Sequence, residues 1–423
     1  MKKNTLIFLI ILMAVALQKA VSHDVEVQRP GVLILSSTIG GGHKAASESA
    51  KNAILNADSK AEVVIKNAED FSSPLKNKSR STIYWTAVKN SPDLVTKAYE
   101  DLMRKGNQSL DQIAHYVNVK HLVTYIEEKG FTHVIVAHEL TAASLAFARL
   151  NGMLQSQKIA FILTDMLVDV FPKVAKQLDM TFLPHPALQN AYLNAGVLDS
   201  QLAVTGMPVS STVKDPIDRE GFLLERKLNP NLYTITLASG SEGIGNFPKI
   251  VESIVSFVKE KPIQIIAVCG KNEEHSKALK RVVERYNAQG VFLRVLFHKN
   301  YDAATCRYQI SLTPQDELFG FIKSSDLYIT KSGGLSPCEA AAIGVPMILL
   351  DVYGGHEERN AKFYESQNIA LICKDESQIG KLVIRIQEST ALREMMRCQQ
   401  KEFASISDLR PIVDFIYPIH LKE

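Results

Sequence analysis

The stretch from Ile329 to Leu350 constrains this chain most. An apolar run from Leu327 to Thr330 meets Gly333-Gly334, then a short helix-forming segment carrying Glu339, then a second apolar run from Val345. That order reads as strand, glycine turn, helix N-terminus and strand, one βαβ unit. Glycines let backbone N–H groups approach an anion and the helix N-terminus adds partial positive charge, so the unit suits a nucleotide diphosphate. A βαβ turn that uses Gly only for close packing fits the same residues.

The rest of the chain repeats the alternation. Val32–Leu35, Val63–Ile65, Val134–Ala137 and Ala160–Leu163 are compact apolar runs in the first half, with helix-forming residues interspersed. The pattern pauses at Thr205-Gly206-Met207-Pro208-Val209 and a charged stretch, and restarts with Leu232–Ala238, Gln264–Val268 and Val291–Phe297. This predicts an α/β protein with two Rossmann-like halves joined near residues 208–220. The expected divisions are a leader at 1–22, an N-terminal domain at 23–210, a C-terminal domain at 211–395, and a final segment at 396–423 that packs back on the first domain. A chain of 423 residues is long enough for two sizeable cores, and its net charge of +3 gives no reason to expect nucleic acid as a partner. Five cysteines without metal-like spacing fit free thiols in a reducing compartment.

The first residues pull the other way. Lys2 and Lys3 precede an apolar run from Leu6 to Leu17, and Ala20-Val21-Ser22 offers small residues for cleavage, the form of a secretory signal. A cleaved signal, a retained membrane anchor and a misassigned start all fit.

Gly40-Gly41-Gly42-His43 follows the first strand directly. Its spacing is neither the dinucleotide fingerprint nor a P-loop, which leaves a flexible turn presenting an imidazole at the carboxyl edge of the sheet, where ligands of open α/β sheets bind. His138 ends another strand at the same edge. Asp165 is placed either to orient a cleft group or to cap a helix, and His185, between two prolines, to fix a turn. The region Ser72–Lys105 interleaves Lys76, Lys78, Arg80, Lys89, Lys97, Arg104 and Lys105 with Tyr84 and Trp85. That mixture suits an anionic membrane surface, and a solvated helix face with the aromatics inward fits equally.

Taken together, these motifs resemble the monogalactosyldiacylglycerol synthase family and its processive diacylglycerol glucosyltransferase relatives, which have the GT-B fold of two Rossmann-like domains facing across a cleft. The resemblance rests on Gly40-Gly41-Gly42-His43, Leu163-Thr164-Asp165-Met166, Thr205-Gly206-Met207-Pro208-Val209, Ser239-Gly240-Ser241-Glu242-Gly243-Ile244-Gly245-Asn246 and Val268-Cys269-Gly270-Lys271-Asn272. It continues through Lys331-Ser332-Gly333-Gly334 with Glu339, and Gly354-Gly355-His356-Glu357-Glu358-Arg359-Asn360, in family order over roughly residues 30–380. Three departures stand out. His356 occupies a position where Gln is usual, Ser37 or Thr38 stands where the plant enzymes have an Asp, and His298–Gln315 is longer than its family counterpart.

The resemblance implies an inverting hexosyltransferase that moves galactose or glucose from a UDP-sugar to diacylglycerol or another lipid acceptor, at the cytoplasmic face of an anionic membrane. His43 would be the general base, with Gly41, Gly42, Trp85, His138 and Asp165 lining the acceptor side. Gly240, Ser241, Gly243, Gly245, Ser332, Gly333 and Gly334 would hold the donor, with Glu339 on the ribose and Glu357 and Asn360 on the transferred sugar. A histidine titrating near neutrality suits proton removal from a hydroxyl. There is no Asp-x-Asp motif, Asp165 and Asp169 being four apart, so the glycine turns point to leaving-group stabilisation without metal, and no cofactor is expected. The alternatives are a UDP-N-acetylglucosamine-dependent transferase with another lipid acceptor, and a GT-B-like epimerase or UDP-sugar-binding protein.

Overall fold

The computed structural model describes residues 29–38, 41–168, 171–226, 228–240, 243–257, 263–270, 272–288, 295–298, 314–350 and 354–418. The leader at 1–22, Gly40, Asp169, Ser241, Lys271 and most of the His298–Gln315 segment lie outside these residues, as does the side chain of Trp85.

Two parallel sheets form the molecule. The first contains β1 (Gly31–Ser36), β2 (Glu62–Asn67), β3 (His133–Val136), β4 (Lys158–Ile162), β5 (Met180–Leu183) and β6 (Leu202–Val204) in the order β2-β1-β3-β4-β5-β6. The second contains β7 (Tyr233–Ala238), β8 (Ile263–Val268), β9 (Val295–His298), β10 (Leu327–Lys331), β11 (Met347–Leu350) and β12 (Leu371–Cys373) in the order β12-β11-β10-β7-β8-β9.

Alternation along each strand explains why the runs are apolar throughout. Leu33, Leu35, Val134 and Val136 face one core of the first sheet, whereas Val32, Ile34, Ile135 and Ala160 face the other. The second sheet divides likewise, with Ile235, Leu237 and Ile329 on one side and Ala238, Tyr328 and Leu349 on the other. A parallel strand covered on both faces has no solvated side on which to carry polar residues.

The helices that reach the facing edges are α1 (Gly41–Ala57), α2 (Pro74–Asn90), α3 (Pro92–Gln108) and α4 (Glu139–Leu150) from the first half, and α5 (Ser336–Ile343) and α6 (His356–Ser366) from the second. Pro337 stands in the first turn of α5, and Gly344, with φ of +81°, ends the helix in the left-handed conformation that a side chain would oppose.

The chain passes between the sheets after β6 and returns after α7 (Thr390–Ser405). The two crossings touch. Asp408 N donates to Thr205 O at 2.8 Å, and a Cβ on Gly206 would lie 2.8 Å from Ser407 Cα. The last helix, α8 (Arg410–Ile416), then places Ile412 and Ile416 in the core with Val32, Ile34 and Phe182. The cysteines at 269, 338, 373 and 398 are free thiols.

Candidate active site

Gly41 and Gly42 are not a flexible turn, as their composition suggested, but the first residues of α1, and neither has positive φ. A Cβ on Gly42 would make ordinary contact with Leu335 Cβ of the second half at 3.6 Å, and one on Gly41 would meet nothing within 4 Å. The helix start carries His43 inward. Its Nδ1 lies 2.6 Å from Ala137 O and 3.1 Å from Thr164 Oγ1. A carbonyl oxygen can only accept, so Nδ1 carries a proton, and in the neutral ring the lone pair then lies on Nε2, the tautomer a general base requires.

Around this ring the structure assembles groups that lie far apart in sequence. His138, buried at the end of β3, stands edge-on to His43 with ring centres 5.1 Å apart, and its Nδ1 is 2.9 Å from Thr141 Oγ1. Burial pushes its pKa down to about 4, Glu139 opposes the shift, and His43 adds to it. The imidazole of His138 is therefore neutral near pH 7. Burial raises the pKa of Glu139, and the neighbouring histidines together with a backbone hydrogen bond outweigh that effect and leave it below the usual value. Donor atoms of His43, His138 and Glu139 lie within 4.8 Å of one another. A zinc ion would draw such atoms in to roughly 3.3 Å separations, so the trio could hold a metal only after contracting.

His138 is a candidate from sequence, whereas its neighbour Glu139 is found only in the structure. The signal available was the His138-Glu139 pair itself, standing at a strand end on the ligand-binding edge.

Asp165 was a candidate for the cleft beside His43. In the structure its Oδ1 accepts from Asn360 Nδ2 at 2.7 Å, while Asn360 Oδ1 accepts from Met166 N at 2.8 Å. Both ends of the fully buried Asn360 amide are thus engaged across the domain interface, whereas the resemblance implies that Asn360 binds the transferred sugar. The loop before His43 also holds a carboxylate, though not at Ser37 or Thr38. Glu69, from the turn after β2, accepts from Ser37 Oγ at 2.6 Å, Thr38 N at 3.1 Å and Tyr116 Oη at 2.7 Å. Burial raises its pKa, and these bonds lower it further than burial raises it.

Opposite stand the glycine turns of the second sheet. Gly240, Gly243 and Gly245 have φ of +65°, +54° and +106°, and a Cβ on Gly243 would collide with Cys269 O. Asn272 Nδ2 donates to Gly243 O at 3.0 Å and fixes the turn. From β10, Lys331 extends beside Gly240 and Gly333 and forms an ion pair with Glu357 of α6. Ser332 is fully buried beneath Gly333 and Gly334, and Glu339 of α5 is only 5% exposed.

Helices α2 and α3 close the side of this arrangement. Gly355 N donates to Thr96 Oγ1 at 2.9 Å, and the Tyr99 and His356 rings meet at 5.8 Å. The unusual His356 thus packs on α3. Burial and then the carboxylates of Glu357, Glu139 and Asp165 push the Tyr84 hydroxyl above its ordinary range, which places Tyr84 beside acidic groups of both halves. On the outside of the same helices Leu75, Ile83 and Leu94 are 77%, 68% and 58% exposed, together with exposed Lys78, Lys97, Arg104 and Lys105. Among the described residues no helix is long and apolar enough to cross a membrane.

Comparison with known proteins agrees with this geometry. The Monogalactosyldiacylglycerol (MGDG) synthase family model matches residues 43–209, and the Glycosyltransferase family 28 C-terminal domain matches residues 234–409. The chain is 27% identical over 221 residues to the processive diacylglycerol beta-glucosyltransferase of Staphylococcus carnosus (strain TM300), covering 52% of this chain and 51% of that protein. It is 28% identical over 207 residues to the Bacillus subtilis (strain 168) protein of the same name, covering 49% and 48%. The matches thus span about half the length of these curated relatives. Among solved structures, Acinetobacter baumannii MurG superposes with a TM-score of 0.54 at 14% identity, over 92% of this chain and 100% of that one. The UDP-GlcNAc 2-epimerase of Neisseria meningitidis, bound to UDP-GlcNAc, gives 0.58 at 13% identity, over 92% and 99%. Identities this low make the structural likeness one of fold, and that fold is GT-B, two Rossmann-like domains facing across a cleft. One family model is thus matched in each half, a monogalactosyldiacylglycerol synthase domain in the first and a glycosyltransferase family 28 C-terminal domain in the second, and the two halves face each other as a GT-B fold.

Proposed function

We propose that this chain is an inverting hexosyltransferase that moves galactose or glucose from a UDP-sugar to the hydroxyl of diacylglycerol. The observation that carries the reading is the His43 ring, held by Ala137 O with its proton on Nδ1 and placed where the first domain faces the glycine turns of the second. The acceptor side would occupy residues 23–210 and the donor side 211–395. Nε2 takes the hydroxyl proton as the oxygen attacks the anomeric carbon. The bond from that carbon to the β-phosphate oxygen breaks, and its electron pair leaves with UDP. Glu139 offsets the positive charge that appears on the imidazole. Glu339 accepts the ribose hydroxyls and Glu357 the hydroxyls of the sugar, while Asn360 ties the domains together. Backbone N–H groups at the glycine turns and at the start of α5 face the leaving phosphate.

The outer face of α2 and α3 suits the acceptor's surroundings. Exposed Leu75, Ile83 and Leu94 beside lysines and arginines fit an anionic lipid surface, with apolar groups entering the interface and cations held near the headgroups.

The decisive experiment incubates the purified protein with diacylglycerol in vesicles and either UDP-galactose or UDP-glucose, and analyses the lipid extract. A glycolipid with inverted anomeric configuration is expected. Release of UDP without a glycolipid would reject diacylglycerol as the acceptor.

A further inference from the structure

We propose that Lys331 is the cation that receives the donor's diphosphate, and that Glu357 holds it until the donor arrives and then turns to the sugar. The inference rests on the reading that the second domain binds a nucleotide sugar. It goes beyond that reading in assigning an exchange of partners at one ion pair.

The first support is where the lysine arm runs. Its Cε lies 3.2 Å from the position a Cβ on Gly240 would take, and its Cε and Nζ each lie 3.5 Å from the corresponding position on Gly333. The two glycines come from different strand ends; the lysine's Cε lies against both, and its ammonium against Gly333. Turns without side chains are the surfaces a diphosphate can approach closely, so the arm runs between the two surfaces the phosphates would touch.

The second support is the state of Glu357. Its side chain is 7% exposed, and Oε1 accepts from Lys331 Nζ. Its other oxygen, Oε2, is buried with no hydrogen-bond partner among the described residues. A buried carboxylate oxygen left in this condition is a place for a donor that has not yet arrived. Sugar hydroxyls are such donors. A diphosphate cannot serve, because it brings only acceptors and negative charge.

With the site empty, Lys331 and Glu357 neutralise each other. When the diphosphate enters, the flexible lysine stem lets the ammonium move to phosphate oxygens, where it also meets the charge that UDP gains as the sugar bond breaks. Glu357 is then left with two oxygens to satisfy. A nucleotide sugar supplies hydroxyls for both, whereas UDP alone strands the carboxylate beside a phosphate.

Calorimetric titration of the full chain with uridine, UDP and UDP-hexose tests the exchange, with thermal melts to confirm that each variant is folded. Lys331→Met should bind UDP at least about tenfold more weakly and uridine unchanged, and Lys331→Arg should recover most of the loss. Glu357→Gln should bind UDP as tightly as the unmodified protein or more so, yet UDP-hexose several-fold more weakly. Equal losses for uridine and UDP in Lys331→Met would make the lysine structural and overturn the proposal. Parallel loss of UDP and UDP-hexose in Glu357→Gln would overturn the exchange and leave Glu357 as a clamp on the lysine. If the unmodified protein binds UDP and Lys331→Met matches it, the exchange fails while the donor reading stands. No UDP binding by the unmodified protein removes both.

Discussion

Gly334 faces the backbone of Thr164 so closely that a Cβ there would lie 1.7 Å from the Thr164 carbonyl oxygen. The glycine that looked, in sequence, like part of a phosphate turn is also the point at which the second domain abuts the first. Gly334→Ala should therefore separate the domains rather than unfold them. A larger radius of gyration in solution scattering is expected, with a fall in turnover that exceeds any loss in UDP affinity. An unchanged scattering profile with normal turnover would show that the two backbones can part without consequence.

His43→Ala should reduce turnover by roughly 10²–10⁴, the range for loss of a general base, with UDP affinity nearly unchanged because the donor turns belong to the other domain. Glu139→Gln tests the same centre more gently. The attraction between the carboxylate and a protonated His43 is mutual, so its removal should move the acid limb of the pH–rate profile to lower pH and lower the plateau. A profile that only scales down, with no displacement, would assign Glu139 a packing role.

His138 should make stability depend on pH in a defined window. Its folded pKa is about 4 against an ordinary 6.5, owing first to burial. Between those values the unfolded chain takes up a proton that the folded chain refuses, so stability falls as pH drops from 6.5 towards 4, by up to roughly 3 kcal/mol. His138→Gln removes the titrating group. Urea melts of both proteins across this window should show their stability difference changing with pH, and a constant difference would contradict a buried neutral histidine.

Glu339→Ala should weaken UDP binding about tenfold or more, since a hydrogen bond to a charged group contributes about 1.5–3 kcal/mol. Calorimetry on a folded variant measures this directly. Unchanged affinity would take Glu339 out of the nucleotide site.

Replacing Leu75, Ile83 and Leu94 together by serine should reduce binding to anionic vesicles and leave UDP affinity intact. Binding of the unmodified protein should weaken as salt rises, because the neighbouring lysines and arginines act through screened attraction. Vesicle sedimentation that does not distinguish the triple variant would assign these side chains to solvent or to a protein contact.

Local patterns were the legible part of this chain. The apolar runs of β1, β3, β4, β7 and β10 and the turn at Gly333-Gly334 declare themselves within a few residues, because burial on both faces and close backbone approach each leave a short signature. Relations across the chain leave none. Glu69 reaches Ser37 over 32 positions, and Asn360 reaches Asp165 over 195, so neither pairing can be seen before the fold brings the strand ends together. Gly41 and Gly42 show the opposite difficulty. Their composition suggests a turn, yet both begin the helix without positive φ, and a Cβ on either would meet no clash. His356 is legible only as a departure until Tyr99 is seen against it.

The bond from Asp408 N to Thr205 O ties the two crossings of the chain together. Two passages of chain between bodies that can move would ordinarily allow sliding as well as tilting. Here both passages are joined at one spot, with Gly206 too close to Ser407 to admit a side chain, so any turn of one domain on the other that keeps this joint would swing about it. Displacement grows with distance from it, like the opening of a pair of tongs. A small rotation at the joint would therefore give its largest displacement at whichever contacts lie farthest away, and entry of a bulky lipid need not disturb either core.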